Sequence, residues 1–266
     1  MSGEPRRFNA IVLAADRGPN DPVAAAAGVA AKCLTPISGS PMAVRVVRAL
    51  QKSQRLSSIL LCGPKAEVLQ GSPALHQLVS SGEVRWLENG ATPTSSAALA
   101  LETLPADQPV LLTTGDHALL NPDMVRHFLD QASARDCDIA VALAPYELVQ
   151  AAYPRTRRTV LKFSDGQFSG CNLFAFLTPR SRQMAQIWKQ VEAQRKKPIR
   201  VIGLLGWRAM TLYALGWLSL EGAMNRLSRK MGLRVNVVIM PFAEAAIDVD
   251  SVADLDLARA IAARTG

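Results

Sequence analysis

Short apolar runs alternate with helix-length amphipathic stretches through the first 144 residues, and this alternation limits the fold more than any other feature of the chain. Residues 11–15 (IVLAA) read as a buried first strand, and 59–62, 83–87, 110–114 and 138–144 read as further strands. Between them, 42–54, 94–104 and 122–134 are spaced as helices. Met42, Val46, Val47 and Leu50 share one face, Thr94 or Ser95 can cap the second helix, and Pro122 opens the third. Strand–helix alternation of this length implies βαβ units and a mostly parallel central sheet, with helices on both faces. In such sheets ligands gather outside the carboxyl ends of the strands. The loops after Ala15, after Thr114 and around Asp248 are therefore the ones to watch.

The pattern changes after Pro145. Residues 159–163 and 167–176 alternate on either side of Ser164-Asp165-Gly166, a hairpin signal. A helix is expected over 179–195, a strand over 235–240 and a closing helix over 251–263, with Ser251 as N-cap and Asp254 completing an approximate capping box. Residues 201–220 are apolar but interrupted by Gly203, Gly206, Arg208 and Gly216, which argues against a membrane-spanning helix. The chain of 266 residues is 49% hydrophobic and 20% charged, so it reads as one globular domain with 195–234 as a helical insertion.

Four scattered cysteines and three histidines without ligand spacing exclude a disulfide framework and a zinc site, and make a reducing cytoplasm the default. Between 195 and 234, nine basic residues face Glu221 alone, so this one segment carries the whole net charge of +8. That points to a local basic surface and away from a protein that coats nucleic acid. With Trp207, Tyr213 and Trp217 inside it, the segment can lie on an anionic membrane surface, pack on the domain or form a homodimer contact.

Three positions could carry chemistry. Lys32 follows a strand and a glycine-bearing loop, an arrangement that can hold phosphate through backbone N–H groups and a point charge, or can simply be a turn. Asp116 stands directly after a buried strand and a glycine, and Asp248-Val249-Asp250 stands just before the last helix. These carboxylates can hold a divalent cation together with phosphate oxygens, or can serve as a turn cap and a helix-start charge.

The order of these pieces resembles the MobA-like nucleotidyltransferases of the GT-A fold. Leu13-Ala14-Ala15-Asp16-Arg17-Gly18 is similar to the family's LAAGxGxR loop, followed by Lys32 and then Gly39-Ser40-Pro41 before a helix. Gly115-Asp116 matches the metal-binding aspartate after a central strand, and the stretch from Asp248 to Leu255 resembles a closing DIDTPEDL. Asn89-Gly90 followed by Ser95 is similar to the base-recognition segment. The chain departs from the pattern at Asp16, where a glycine is usual, and at His117-Ala118 after Asp116.

The resemblance implies a three-layer Rossmann-like GT-A fold and an enzyme of the cytoplasm, associated with membrane if the basic segment lies on one. It implies Mg2+-dependent transfer of NMP from an NTP to a phosphorylated small molecule, with release of pyrophosphate. CTP or GTP stands ahead of the other donors, and nucleic acid is not a partner. Ala14, Ala15, Asp16, Arg17, Gly18 and Lys32 would hold the triphosphate, and Asn89, Gly90 and Ser95 would read the base. Asp116 and Asp248 would hold the metal, with Asp250 in reserve, so that Lys32, Asp116 and Asp248 form the catalytic set. Arg155, Arg157, Arg158, Lys162 and Asn172 form either an acceptor-phosphate clamp or a charged strand edge. The competing readings are a GT-A glycosyltransferase using a nucleotide sugar and a non-catalytic nucleotide-binding or membrane-associated module.

Overall fold

A computed structural model describes residues 6–15, 21–183 and 207–265. The expected phosphate-loop residues Asp16, Arg17 and Gly18, most of the expected 179–195 helix and the basic cluster at 195–200 lie outside the described residues. In chain order, β1 is Phe8–Leu13, α1 Pro22–Ala27, β2 Pro36–Ile37, β3 Ser40–Pro41, α2 Met42–Lys52, β4 Leu56–Cys62, α3 Ala66–Gln70, α4 Pro73–Ser80, β5 Arg85–Leu87 and α5 Pro93–Glu102. Then follow β6 Val110–Thr114, α6 Pro122–Ser133, β7 Ile139–Pro145, α7 Tyr146–Ala152, β8 Leu161–Phe163, β9 Gly166–Phe176, α8 Trp207–Ala214, α9 Leu220–Met231, β10 Val235–Ile239 and α10 Val252–Thr265.

The sheet has eight strands in the order β10-β7-β9-β6-β1-β4-β5, with β8 paired to β9. The β1–β4, β1–β6, β4–β5 and β7–β10 pairs are parallel, and β9 runs antiparallel to β6, β7 and β8. Strand β1 shows why both faces are covered. Phe8, Ala10 and Val12 face a core built with α2, α4, α6 and α10, while Ile11 faces a second core built with α5 and α9. Alternate side chains on a strand point to opposite faces, so a strand with apolar side chains on both faces needs a helical layer on each side. The expected three-layer α/β architecture is the one observed.

Local chemistry sets the boundaries. Helix α2 ends at Lys52, before the expected Gln54, and Gln54 itself has a positive φ of 58°. Helix α5 starts at Pro93, earlier than expected. Its cap is Thr92 and not Thr94 or Ser95: the Thr92 side chain accepts from the Ser95 N–H, and the Ser95 side chain accepts from the Thr92 N–H. Ser251 and Asp254 pair as expected at α10, the Ser251 hydroxyl donating to Asp254 Oδ2 at 2.7 Å and accepting from the Asp254 N–H at 3.2 Å.

Helices α8 and α9 pack by one side on the hairpin end of the sheet, where Ala209, Leu218, Leu220 and Ala223 meet Phe163 and Val237. Leu215 and Trp217, in the turn between them, are exposed, Trp217 at 70%. No described helix is long and apolar enough to cross a membrane.

Two chain crossings set up the cleft. Gly63, just after β4, has φ +85°, and a Cβ there would stand 2.9 Å from the Ala15 backbone nitrogen and 3.0 Å from the Ala14 carbonyl. The first strand thus leaves the sheet pressed against the end of the fourth. On the other side the β7–β9 ladder shifts register between Val141 and Leu143, and in β9 Asn172 takes a left-handed φ of 48°. This bulge bends β9 beside the end of β6.

Gly63→Ala should lower stability by about 2 kcal/mol or more in urea unfolding, because a left-handed φ alone costs about 1–2 kcal/mol for a residue with a Cβ and the backbone contact adds to it. An unchanged midpoint would show that the two strand ends do not depend on this contact.

Candidate functional site

The carboxyl ends of β1 and β6 open on a cleft of about 380 Å3. Its walls bring together Ala15, Lys32, Gly90, Thr92, Thr114, Asp116, Asn172, Asp248 and Asp250. These residues come from opposite ends of the chain. Lys32 sits in a 3₁₀ turn, Lys32–Leu34, after α1, whose start is capped by Asp21 and whose end turns on Gly28 in a left-handed conformation. Asp116 follows β6, where the Gly115 N–H donates to the Leu13 carbonyl at 2.8 Å. The returning 248–250 segment is tied to that loop by the Val249 N–H, which donates to the Asp116 carbonyl at 3.1 Å. Val249 is fully buried, as alternation predicts, so its flanking carboxylates are left at the cleft.

The charges are paired in two groups. Lys32 Nζ donates to Asp116 Oδ2 at 2.5 Å and to Asp250 Oδ1 at 2.8 Å. Its side chain is only 6% exposed. Burial works to lower the Lys32 pKa, but the carboxylates of Asp116 and Asp250 outweigh it and hold the ammonium above its ordinary value. In the second group Arg158 pairs with both Asp248 and Asp254, and Asn172 Nδ2 donates to Asp248 Oδ2 at 3.0 Å.

Four carboxylates therefore share two cations, and the shortfall falls on Asp248. Burial first, and then repulsion from Asp116 and Asp250, raise its pKa from 3.8 to about 6 despite the Arg158 guanidinium. Asp116 Oδ1 is buried without a hydrogen-bond partner among the described residues, and so is Oγ1 of Thr114 beside it. An acidic excess and an orphaned carboxylate oxygen at a cleft fit a divalent cation. Among the described residues no cluster of three or more His, Cys, Asp or Glu forms a complete metal centre. Magnesium does not need one, since it is commonly held by one or two carboxylates together with phosphate oxygens and water.

The remaining expected residues have more varied roles. Gly90 lines the cleft, and a Cβ there would lie 2.5 Å from the Ser95 hydroxyl, so the close approach of loop and helix needs glycine. Ser95 spends its hydroxyl on the α5 cap, and Asn89 donates to the Gly90 carbonyl at 3.0 Å. Arg155, Arg157 and Lys162 are exposed, whereas Arg158 is buried in the carboxylate group. His117 is fully buried, and burial pushes its pKa down to about 4, so it is neutral and takes no charge into the cleft. Arg158 as the partner of Asp248 was missed at the sequence level, because no spacing links residues 90 positions apart.

The Asp248 shift makes stability depend on pH. The folded protein takes up this proton more readily than the unfolded chain, so the cost of the charged carboxylate is absent near pH 4, grows as pH rises, and is complete above about pH 6. Asp248→Asn, measured without divalent cations, should therefore be more stable than wild type at pH 8 by about 2–3 kcal/mol, and the gap should close as pH falls to 4. A gap independent of pH would remove Asp248 as the titrating group.

A family model described as the MobA-like NTP transferase domain matches residues 10–202. A solved structure described as a hypothetical transferase from Thermus thermophilus is similar at 30% identity and TM-score 0.76, covering 94% of this chain and 99% of that one. A CMP:2-keto-3-deoxy-manno-octonic acid synthetase solved in complex with CTP is similar at 16% identity and TM-score 0.60, over 98% of this chain and 100% of that one. A 4-diphosphocytidyl-2C-methyl-D-erythritol synthase from Anaerococcus prevotii follows at 12% and 0.54, over 97% and 96%. The last two show the fold alone. A search of curated proteins returned no match. With the family model covering most of the chain, and with a lysine and aspartates gathered where its strands end, the chain belongs to the MobA-like NTP transferase family of nucleotidyltransferases.

Proposed function

We propose that the cleft transfers a nucleoside monophosphate from an NTP to an anionic, phosphorylated small molecule. The observation that carries this reading is the convergence of Lys32, Asp116, Asp248 and Asp250 on one cleft, with the loop that starts α5 as its facing wall. A phosphorylated acceptor is already a nucleophile. Its oxygen forms a bond to the α-phosphorus while the bond to the bridging β-phosphate oxygen breaks, and pyrophosphate leaves with that electron pair. No side chain has to remove a proton, which agrees with a neutral, buried His117. Catalysis then consists of positioning and of neutralising phosphate charge.

Each group has a part in that scheme. Lys32 exchanges its carboxylate partners for the triphosphate, as a compact point charge suited to phosphate. The Gly90–Pro93 segment and the N-terminus of α5 form the nucleotide wall, where helix-end N–H groups favour negative charge. Asp116 and Asp248 would hold Mg2+, which when bound neutralises charge on the reacting phosphates. Exposed Arg155 and Arg157, on the loop that carries Arg158, supply positive charge for the acceptor.

Pyrophosphate release from the four ribonucleoside triphosphates, crossed with a panel of sugar, polyol and amino-alcohol phosphates in Mg2+, tests the reaction. CTP is the first donor to try, because one relative of the same fold was solved with it. One productive pair is expected. Lys32→Ala and Asp116→Ala should each lower turnover by about 10²–10³-fold, the usual cost of removing one charge-stabilising group. Full turnover in Asp116→Ala would sink the site assignment, and nucleotide-sugar consumption without pyrophosphate would replace nucleotidyl transfer by glycosyl transfer.

A further inference from the structure

Arg158 has four of its five N–H donors engaged inside the protein. Its Nε donates to Thr156 Oγ1 at 3.2 Å, one terminal nitrogen meets both the carboxylate and the backbone carbonyl of Asp248, the latter at 3.1 Å, and the other meets Asp254 Oδ1 at 2.6 Å. With its side chain 8% exposed, it is fixed inside the fold. Asp254 in turn stands in the first turn of α10 and accepts from the Asp250 N–H at 3.3 Å through its second oxygen. The guanidinium thus clips the 248–250 segment to the helix that follows it.

Asn172 completes the arrangement from the opposite side. It has one of only three positive φ values among the described non-glycine residues. The β9 bulge there aims its amide at Asp248 Oδ2. Asparagine tolerates the left-handed region better than most residues, yet a strand has no structural need of it. A strained residue whose side chain grips a cleft carboxylate is a mark of function. Each Asp248 oxygen has its own donor, so the carboxylate can take one orientation only.

We propose that Arg158 and Asn172 are positioning residues, which hold the Asp248 carboxylate in a fixed orientation beside Asp116 so that the two can grip a divalent cation together. The proposal rests on the reading of Asp116 and Asp248 as the cation's ligands. It removes Arg158 from the acceptor clamp and leaves that role to Arg155 and Arg157. Partners that orient metal-binding carboxylates commonly contribute 10–100-fold to metal affinity.

The test is Mn2+ binding to the full-length protein, followed by electron paramagnetic resonance with and without CTP, in wild type, Asn172→Gly and Arg158→Lys. Glycine accepts the left-handed backbone of residue 172 freely, so that variant loses the amide and keeps the fold. Lysine keeps the charge of Arg158 and loses its fork. Both variants should bind Mn2+ about 10–100-fold more weakly than wild type, and any turnover lost should return as Mg2+ is raised. Wild-type Mn2+ affinity in both variants would overturn the clasp and leave the metal site standing. A wild type that binds no Mn2+, with or without nucleotide, would overturn the metal site and the clasp together.

Discussion

The contact on which this cleft depends is the buried ammonium of Lys32 between Asp116 and Asp250. A lysine this deeply buried is stable only if its charge is compensated, because desolvation of an unpaired ammonium costs more than a surface site could ever recover. The two carboxylates supply that compensation and more, since the Lys32 pKa rises in spite of its burial. They come from the loop after β6 and from the segment before α10, so a single ammonium joins the early, middle and late parts of the chain. The hydrogen bond from the Val249 N–H to the Asp116 carbonyl holds the same junction through the backbone.

That solution leaves a residual imbalance of charge, and under the proposed reaction a divalent cation would offset it. Here the acidic excess is concentrated on Asp248, whose pKa is pushed up to about 6, and on Asp116, whose inner oxygen has no partner among the described residues. Apolar layers on both faces of the sheet bear the cost: α2 and α6 on one side and α5 and α9 on the other clamp the strands whose ends hold these charges. Rigidity at the strand ends is local as well, with Gly63 pressed on the backbone of Ala14 and Ala15.

The fold was legible because it depends on periodicity, and periodicity is a local property. Apolar runs such as 110–114 and helical faces such as Met42, Val46, Val47 and Leu50 carry their own evidence. Lys32, Asp116, Asp248 and Asp250 were legible for a related reason, since each stands where a strand or turn meets a loop, and there a charged residue needs an explanation. The fate of Arg158 and of Ser95 was not. Both were read as substrate contacts, and the structure pairs one with two carboxylates and the other with a helix cap. Which acceptor a side chain finds depends on contacts formed between distant segments, and residue spacing holds no trace of that. The antiparallel insertion of β9 between β6 and β7 was hidden for the same reason: its hairpin with β8 is local, but its neighbours in the sheet are not.

The family match ends at residue 202, yet the cleft does not. Asp248 and Asp250 lie beyond it, and they reach the cleft because β10 pairs in parallel with β7 at the edge of the sheet, after which the chain turns back toward β6. Met240 fixes that return, its N–H donating to the Leu143 carbonyl at 2.8 Å, and the buried run Ala245, Ala246 and Ile247 carries the backbone inward to Asp248. The C-terminal part is therefore integral to the cleft. Without it Lys32 would keep only Asp116 as a carboxylate partner.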